Sequence, residues 1–201
     1  MSDKFFGFLC IKYFDPTMIF ELIPLNMADA DVIINNVKEL LTKAFNATVK
    51  ILKLAKVPSD FKNVYRDQYN AALLLRWIRN LRTEDGTIVL GIADVDAYVD
   101  GLNFVFGIAS DVDNAALVFL PRLRFLADAD KFMDRIKKEV VHEVGHVFGL
   151  KHCNNVLCVM YFSNSIYDTD RKNFKFCSRC YSNLIKQGYY VNSSYVINDN
   201  I

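Results

Sequence analysis

Apolar residues along this chain fall into two rhythms, short near-continuous runs and stretches at helical spacing. The run FFGFLCIKYF (5–14) is aromatic and aliphatic and predicts a buried strand, which Asp15-Pro16 ends. After Pro24, residues 26–45 carry Val32, Ile33, Val37, Leu40, Leu41 and Phe45 at helical spacing and predict a helix. ATVKILKL (47–54) alternates in part, is rich in β-branched and aliphatic residues, and predicts a strand. DQYNAALLLRWIRNL (67–81) predicts a second helix with Leu74, Trp77, Ile78 and Leu81 on one side, the tryptophan being a core residue. GTIVLGIADV (86–95), LNFVFGIAS (102–110) and ALVFLPRLRF (116–125) then predict three more strands. Strands interleaved with two helices imply an α/β class with a mostly parallel sheet, and the close spacing of the last strands leaves room for one antiparallel member.

The next helical stretch carries the chemistry. Residues 128–149 predict a helix opened by Asp128 or Asp130, with Phe132, Ile136, Val140, Val144 and Val147 forming one apolar stripe. At about 100° per residue, His142 lies about 200° around from Val140, so His142 and His146 share the opposite face. Gly149 follows, a residue that readily takes the left-handed conformation ending a helix, and the turn can bring His152 back to the same point. The chain has 3 histidines, and these are all of them. Three imidazoles arriving from different directions suit a catalytic zinc whose fourth position is left to water. Glu143, about 100° from His142 on the helix, can reach that water without becoming a ligand. The plain alternative is three surface histidines on an amphipathic helix.

Four of the 5 cysteines follow: Cys153, Cys158, Cys177 and Cys180, in the pattern of a closed structural zinc site filled by thiolates. Two disulfides or four free thiols are the other readings. A second ion has a physical reason, since the segment after Gly149 is short, would bury little core, and metal binding supplies folding free energy. Because His152 and Cys153 are adjacent, that ion would sit beside the third catalytic ligand. A final short helix is expected over YSNLIKQGYY, and Cys10 reads as a small buried apolar residue.

Composition narrows the classes. A formal net charge of +1 argues against nucleic acid or an anionic membrane as partner. The basic patches RIKK (135–138) and RKNFK (171–175) read as solvated faces, and Asp94, Asp96 and Asp100 as solvated turn carboxylates. The longest apolar stretches, such as AALVFL (115–120), are far shorter than the roughly 20 residues that span a bilayer. The N-terminal run lacks a cleavage site of signal-peptide type, so the expected address is cytoplasmic, where thiols stay reduced. The triplets NAT (46–48) and NSS (192–194) then carry no glycosylation meaning.

HEVGHVFGLKHC, continuing through NNVLCVM and later CSRC, resembles the archaemetzincin family of the metzincin clan of zinc metalloproteases. RDQYNA (66–71) and GLNFVFGIAS (101–110) are also similar to family sequence. The resemblance implies a single catalytic domain over 1–201. Its N-terminal α/β subdomain (1–149) has a mixed, mostly parallel sheet, two packing helices and the active-site helix. Its C-terminal subdomain (150–201) holds the Met-turn, with Met160 beneath the catalytic zinc, and the four-cysteine site. It implies two zinc ions, one catalytic and one structural, and a peptide or protein substrate lying along NFVFGIA (103–109) as an added strand. Two departures stand out. Sixteen residues separate Met160 from Cys177, one fewer than the family spacing, which reads as a loop deletion. Phe162 stands where some metzincins carry a zinc-ligating tyrosine, so Tyr161 receives no such role. The competing functions are a non-catalytic zinc-stabilised interaction module and a zinc hydrolase of a non-peptide bond, which Glu143 and a peptide library respectively discriminate.

Overall fold

The computed structural model describes residues 18–27 and 30–197. The strand expected over 5–14, with Cys10, lies outside them. In chain order the elements are β1 (Ile19–Leu25), α1 (Asp31–Phe45), β2 (Thr48–Ile51), β3 (Lys62–Asn63), β4 (Gln68–Asn70), α2 (Ala71–Arg79), β5 (Ile88–Ala93), β6 (Ala97–Tyr98), β7 (Gly107–Ser110), β8 (Ala115–Phe119), α3 (Ala129–Val147), α4 (Ile166–Arg171) and α5 (Ser178–Lys186). A 5-stranded sheet runs in the order β2-β1-β5-β8-β7, and a 3-stranded one in the order β3-β4-β6. The large sheet is parallel except for β7, which pairs antiparallel with β8 and forms one edge. This is the mostly parallel α/β arrangement expected, with its single antiparallel member.

Strands buried on both faces read as continuous apolar runs, and their two-residue period splits each run between two cores. Leu90 and Val118 face a core shared with α1, α3 and the C-terminal segment, whereas Val89 and Leu117 face a second core under α2. The first core extends without a break from Phe20 to Val191, so the segment after Gly149 packs into the sheet half rather than standing alone.

Several elements depart from the pattern. β1 falls between the two elements expected nearest it, because Glu21 and Pro24 interrupt its apolar run. Glu21 is fully buried, and its carboxylate accepts the Thr83 N–H, the Thr83 hydroxyl and the Glu84 N–H at 2.8, 2.6 and 3.0 Å. Pro24 is tolerated because it lies beyond Leu22, the last β1 residue paired with β2, and its carbonyl instead accepts the Ala55 N–H. The second helix begins at Ala71, since Gln68–Asn70 are strand and Asn70 caps the helix by accepting the Leu73 N–H. The strand expected to 125 stops at Phe119, where Pro121 starts a 3-10 turn. The strand expected from 102 begins only at Gly107. α4, opened by a Ser165/Asp168 capping box, was not foreseen.

The charged patches are only in part solvated faces, since Arg171 is exposed and Lys137 and Lys175 are half-buried. Arg135, Lys138 and Lys172 are buried, and Arg135 grips Asp170 at 2.6 and 2.8 Å while donating to the Leu123 and Phe125 carbonyls. A buried charge persists only when paired; α4 supplies Asp170 to Arg135, while Asp134 and Glu139 of α3 pair with Lys138 and Lys172. Asp96 and Asp94 likewise hold Arg122 and Arg124 in two-pronged pairs, while Asp100 is exposed. Among the described residues no helix is long and apolar enough to cross a membrane.

Candidate metal centres and catalytic cleft

α3 starts where Asp128 accepts the Lys131 N–H at 2.8 Å. Its other end is a Schellman turn. Gly149 has φ +79°, its N–H donates to His146 O, and the Leu150 N–H donates to Gly145 O. The same turn orients a histidine, for the Leu150 carbonyl lies 2.7 Å from His146 Nδ1. The chain then runs out through His152 and Cys153 and returns through Val159 and Met160, tied by Cys153 N–H to Met160 O. The Val159 carbonyl lies 2.7 Å from His142 Nδ1.

A carbonyl only accepts, so both Nδ1 atoms carry the proton and both Nε2 atoms present lone pairs. Those lone pairs converge. His146 Nε2 lies 3.1 Å from His142 Nε2 and 3.2 Å from His152 Nε2. Tetrahedral ligands at a Zn–N distance of 2.0–2.1 Å stand about 3.3 Å apart. Facing lone pairs at this separation repel unless a cation lies between them, so the donor set fits zinc. Burial, first, and then the Lys172 ammonium push the His142 imidazole well below its usual range, and burial lowers that of His146. All three rings are thus held in the neutral, ligating form, and His152 falls to about 4.

Glu143 is buried beside this cluster, and burial, with the Glu139 charge adding, pushes its carboxyl well above the ordinary range. Its carboxylate lies directly against Gly107 on the edge strand, where any Cβ would overlap it. The cleft above has a volume of about 540 Å³ and is lined by β7, residues 102–106, the three histidines and Phe162–Asn164. Met160 is fully buried beneath, with its sulfur in the space that a Cβ on Gly145 would need.

Cys153, Cys158, Cys177 and Cys180 are free and buried, and their sulfurs lie within 4.8 Å of one another. Cys153 and Cys177 Sγ are 3.8 Å apart, the edge of about 3.8 Å expected for a tetrahedral site with Zn–S of 2.3 Å. Hydrogen bonds from the Cys180 thiol and from backbone N–H groups push the Cys158 thiol down to about 5, the thiolate a metal needs. The Arg179 guanidinium donates to Cys153 Sγ at 3.3 Å.

The four groups that sequence reasoning passed over are Gly107, Gly145, Glu139 and Lys172. Lys172 is fully buried. Its Nζ lies 2.9 Å from Glu139 Oε1, 3.4 Å from the Tyr161 carbonyl and 3.5 Å from His142 Nδ1. It thus joins α3 to the turn beneath the histidines. Gly145 could have been singled out from its place between the two helix histidines, but nothing in the sequence distinguishes Lys172 from its basic neighbours.

Residues 17–186 match the model of peptidase family M54. The chain is 45% identical over 163 residues to an archaemetzincin of Nanoarchaeum equitans, covering 81% of this chain and 89% of that one. Its fold is similar to the crystal structure of the archaemetzincin of Methanopyrus kandleri, with TM-score 0.77 and 36% identity over 85% of this chain and 95% of that one. It is also similar to a zinc-dependent peptidase of Methanocorpusculum labreanum, with TM-score 0.70 and 26% identity over 82% of this chain and 99% of that one. The chain therefore belongs to peptidase family M54, the family of the archaemetzincins, and is a hydrolase of peptide bonds.

Proposed function

We propose that this zinc metallopeptidase holds its catalytic zinc on His142, His146 and His152, uses Glu143 as general base and acid, and holds a structural zinc on Cys153, Cys158, Cys177 and Cys180. The observation that carries the reading is the convergence of three Nε2 lone pairs at 3.1 and 3.2 Å in an open cleft, with the Glu143 carboxylate buried beside them on the same helix while Glu139, the other buried carboxylate of that helix, is paired with Lys172. When bound there, zinc supplies Lewis acidity and brings the pKa of a coordinated water to about 7. Glu143 takes a proton from the attacking water and returns it to the leaving amine. Burial raises the Glu143 carboxyl above the ordinary carboxylate range, which strengthens it as a base toward the attacking water.

The substrate lies along β7. Phe106 O accepts the Phe119 N–H, so Phe106, Ile108 and Ser110 point their backbone groups at β8. Gly107 and Ala109 then direct theirs outward, where an extended peptide can pair antiparallel with them. Residues 1–149 and 150–201 act as two subdomains of one catalytic domain, and the structural zinc holds the His152 and Met160 segment in place. Glu143→Gln tests the chemistry. It should retain zinc by metal analysis while peptide hydrolysis falls at least about 100-fold. Hydrolysis at the wild-type rate in that variant would rule out Glu143 as the base.

A further inference from the structure

We infer that Arg66, Gln68 and Arg122 are positioning residues that hold Phe104 as the wall of a subsite for an apolar or aromatic side chain of the peptide substrate. The inference rests on the peptidase reading above and names what that cleft selects. Residues 102–105 lead into β7 without being part of its ladder, so their backbone groups need other partners. Arg66 Nη2 donates to the Leu102 and Asn103 carbonyls at 3.1 and 2.9 Å, and Gln68 Nε2 donates to Asn103 O at 3.0 Å and to Asp96 at 3.1 Å. Arg66 Nε donates to Gln68 Oε1 at 2.9 Å, which locks the two together, and the guanidinium lies 4.2 Å from the centre of the Tyr98 ring. Asp96 in turn grips Arg122 with two bonds of 2.7 Å.

That chain of contacts ends on Phe104. The Arg122 guanidinium covers its ring at 4.3 Å, and Phe106 meets it edge-on at 5.0 Å. Phe104 is only half-buried, lines the cleft, and packs toward the core that contains α3, so it lies on the histidine side of the sheet. An aromatic ring fixed on two sides and open on a third is a preformed apolar contact. Arg66 and Gln68 thus fix the backbone that leads to this ring, and Arg122 fixes the ring itself. A peptide antiparallel to β7 runs with its C-terminal half over residues 102–106, so the preferred residue lies on the C-terminal side of the cut bond.

The test is digestion of a randomised peptide library by the zinc-loaded protein, with the sites of cleavage sequenced. Aromatic and large aliphatic residues should be preferred about tenfold at one position after the cut, and Phe104→Ala should bring that preference to within about twofold. On the preferred peptide, Arg66→Ala should raise KM about tenfold with kcat within about twofold and zinc content unchanged, and Arg66→Lys should recover part of it. A merely structural Arg66 would lower kcat and the active fraction and leave KM alone. Peptides captured from the same library by Glu143→Gln protein should show the same apolar preference without turnover. Cleavage or capture with no apolar preference, or one that survives Phe104→Ala, overturns the subsite. Absence of any hydrolysis that Glu143→Gln lacks would instead overturn the peptidase reading.

Discussion

Between Ile19 and Phe119 the chain buries aliphatic side chains on both faces of one sheet, each contributing about 1.5–3 kcal/mol. Between Leu150 and Ile197 there is no ladder strand, and the helices are those of α4 and α5, 6 and 9 residues long. What is buried there is a handful of apolar residues such as Val159, Phe176 and Leu184, four thiols, and polar groups reaching across to α3. The sheet half can be held by packing alone, whereas the later segment depends on directed bonds. The groups proposed to be catalytic straddle that divide. His142, Glu143 and His146 belong to a helix seated on the sheet, but His152 and the carbonyl behind His142 belong to the segment. The site is therefore only as well ordered as its weaker half.

The sharpest way to break this contrast is to remove one staple. Cys177→Ser should lose one zinc at saturating metal and weaken the remaining, histidine-bound ion about 10–100-fold, the usual cost of losing the outer support of a metal ligand. Limited proteolysis should then cut after Gly149 while the sheet half stays intact. The reverse change is not symmetric, since His146→Ala should lose only its own ion and leave the proteolysis pattern as it was. Equal zinc affinity at the histidines with and without Cys177 would show that the two halves are independent.

Next in size is the buried pair that joins them. Lys172→Met leaves the Glu139 carboxylate, 2% exposed, without its cation, and should cost about 3–5 kcal/mol in urea unfolding. Adding Glu139→Gln should recover most of that loss, because the penalty comes from the orphaned charge rather than from the missing attraction. If the double variant is no better than the single, Lys172 acts through its contact with the Tyr161 carbonyl instead.

How far each half could be read beforehand follows the same division. Long apolar runs such as IVLGIA and the α3 stripe announce themselves because packing rewards their period, so β5, β8 and α3 are legible. β1 is not, because a buried, satisfied Glu21 and a Pro24 lying just past the end of the β2 pairing look in one dimension like the end of an apolar run. The histidines and cysteines are legible since few residue types can hold a metal and their spacing is tight. Arg135 and Lys172 are the opposite case. Buried and exposed basic residues have the same letter, and only the tertiary partner decides which it is, Asp170 of α4 for Arg135 and Glu139 of α3 for Lys172. Residues 102–106 mislead in another way, for their apolar alternation resembles a strand while their backbone is held by Arg66 and Gln68.

A smaller perturbation asks how closely the halves fit. Gly145→Ala should gain about 1 kcal/mol of helix propensity, yet its new methyl meets the Met160 sulfur, and overpacking there costs about 1–3 kcal/mol. A net fall in Tm is expected, with the fold and the zinc count unchanged. In a Met160→Ala background, itself less stable for the cavity it opens, the same Gly145→Ala change should cost less, and the cycle reads the contact directly.

The gentlest probe is acid acting on metal-free protein. His152 is pushed down to about 4, by burial first and then by His146 and Lys172, whereas in the unfolded chain an imidazole titrates near 6.5. Between those values the unfolded chain binds a proton that the folded one refuses, so stability falls as pH drops from about 6.5 and the loss levels off below about 4. His142 and His146 are shifted the same way and add to the slope. Because every histidine of the chain lies at the site, imidazole titration in this window reports on the junction and not on the sheet. Carboxylates also titrate there, so the measurement that isolates the effect is the difference between wild type and His152→Gln in urea unfolding at pH 7 and pH 5. The variant should lose less stability than wild type on acidification. The difference will be small, since His152 is the exposed one of the three and solvent screens it. An identical acid response in both would mean that the third imidazole is already free to take up a proton in the folded chain, and so is not held against its neighbours without the metal.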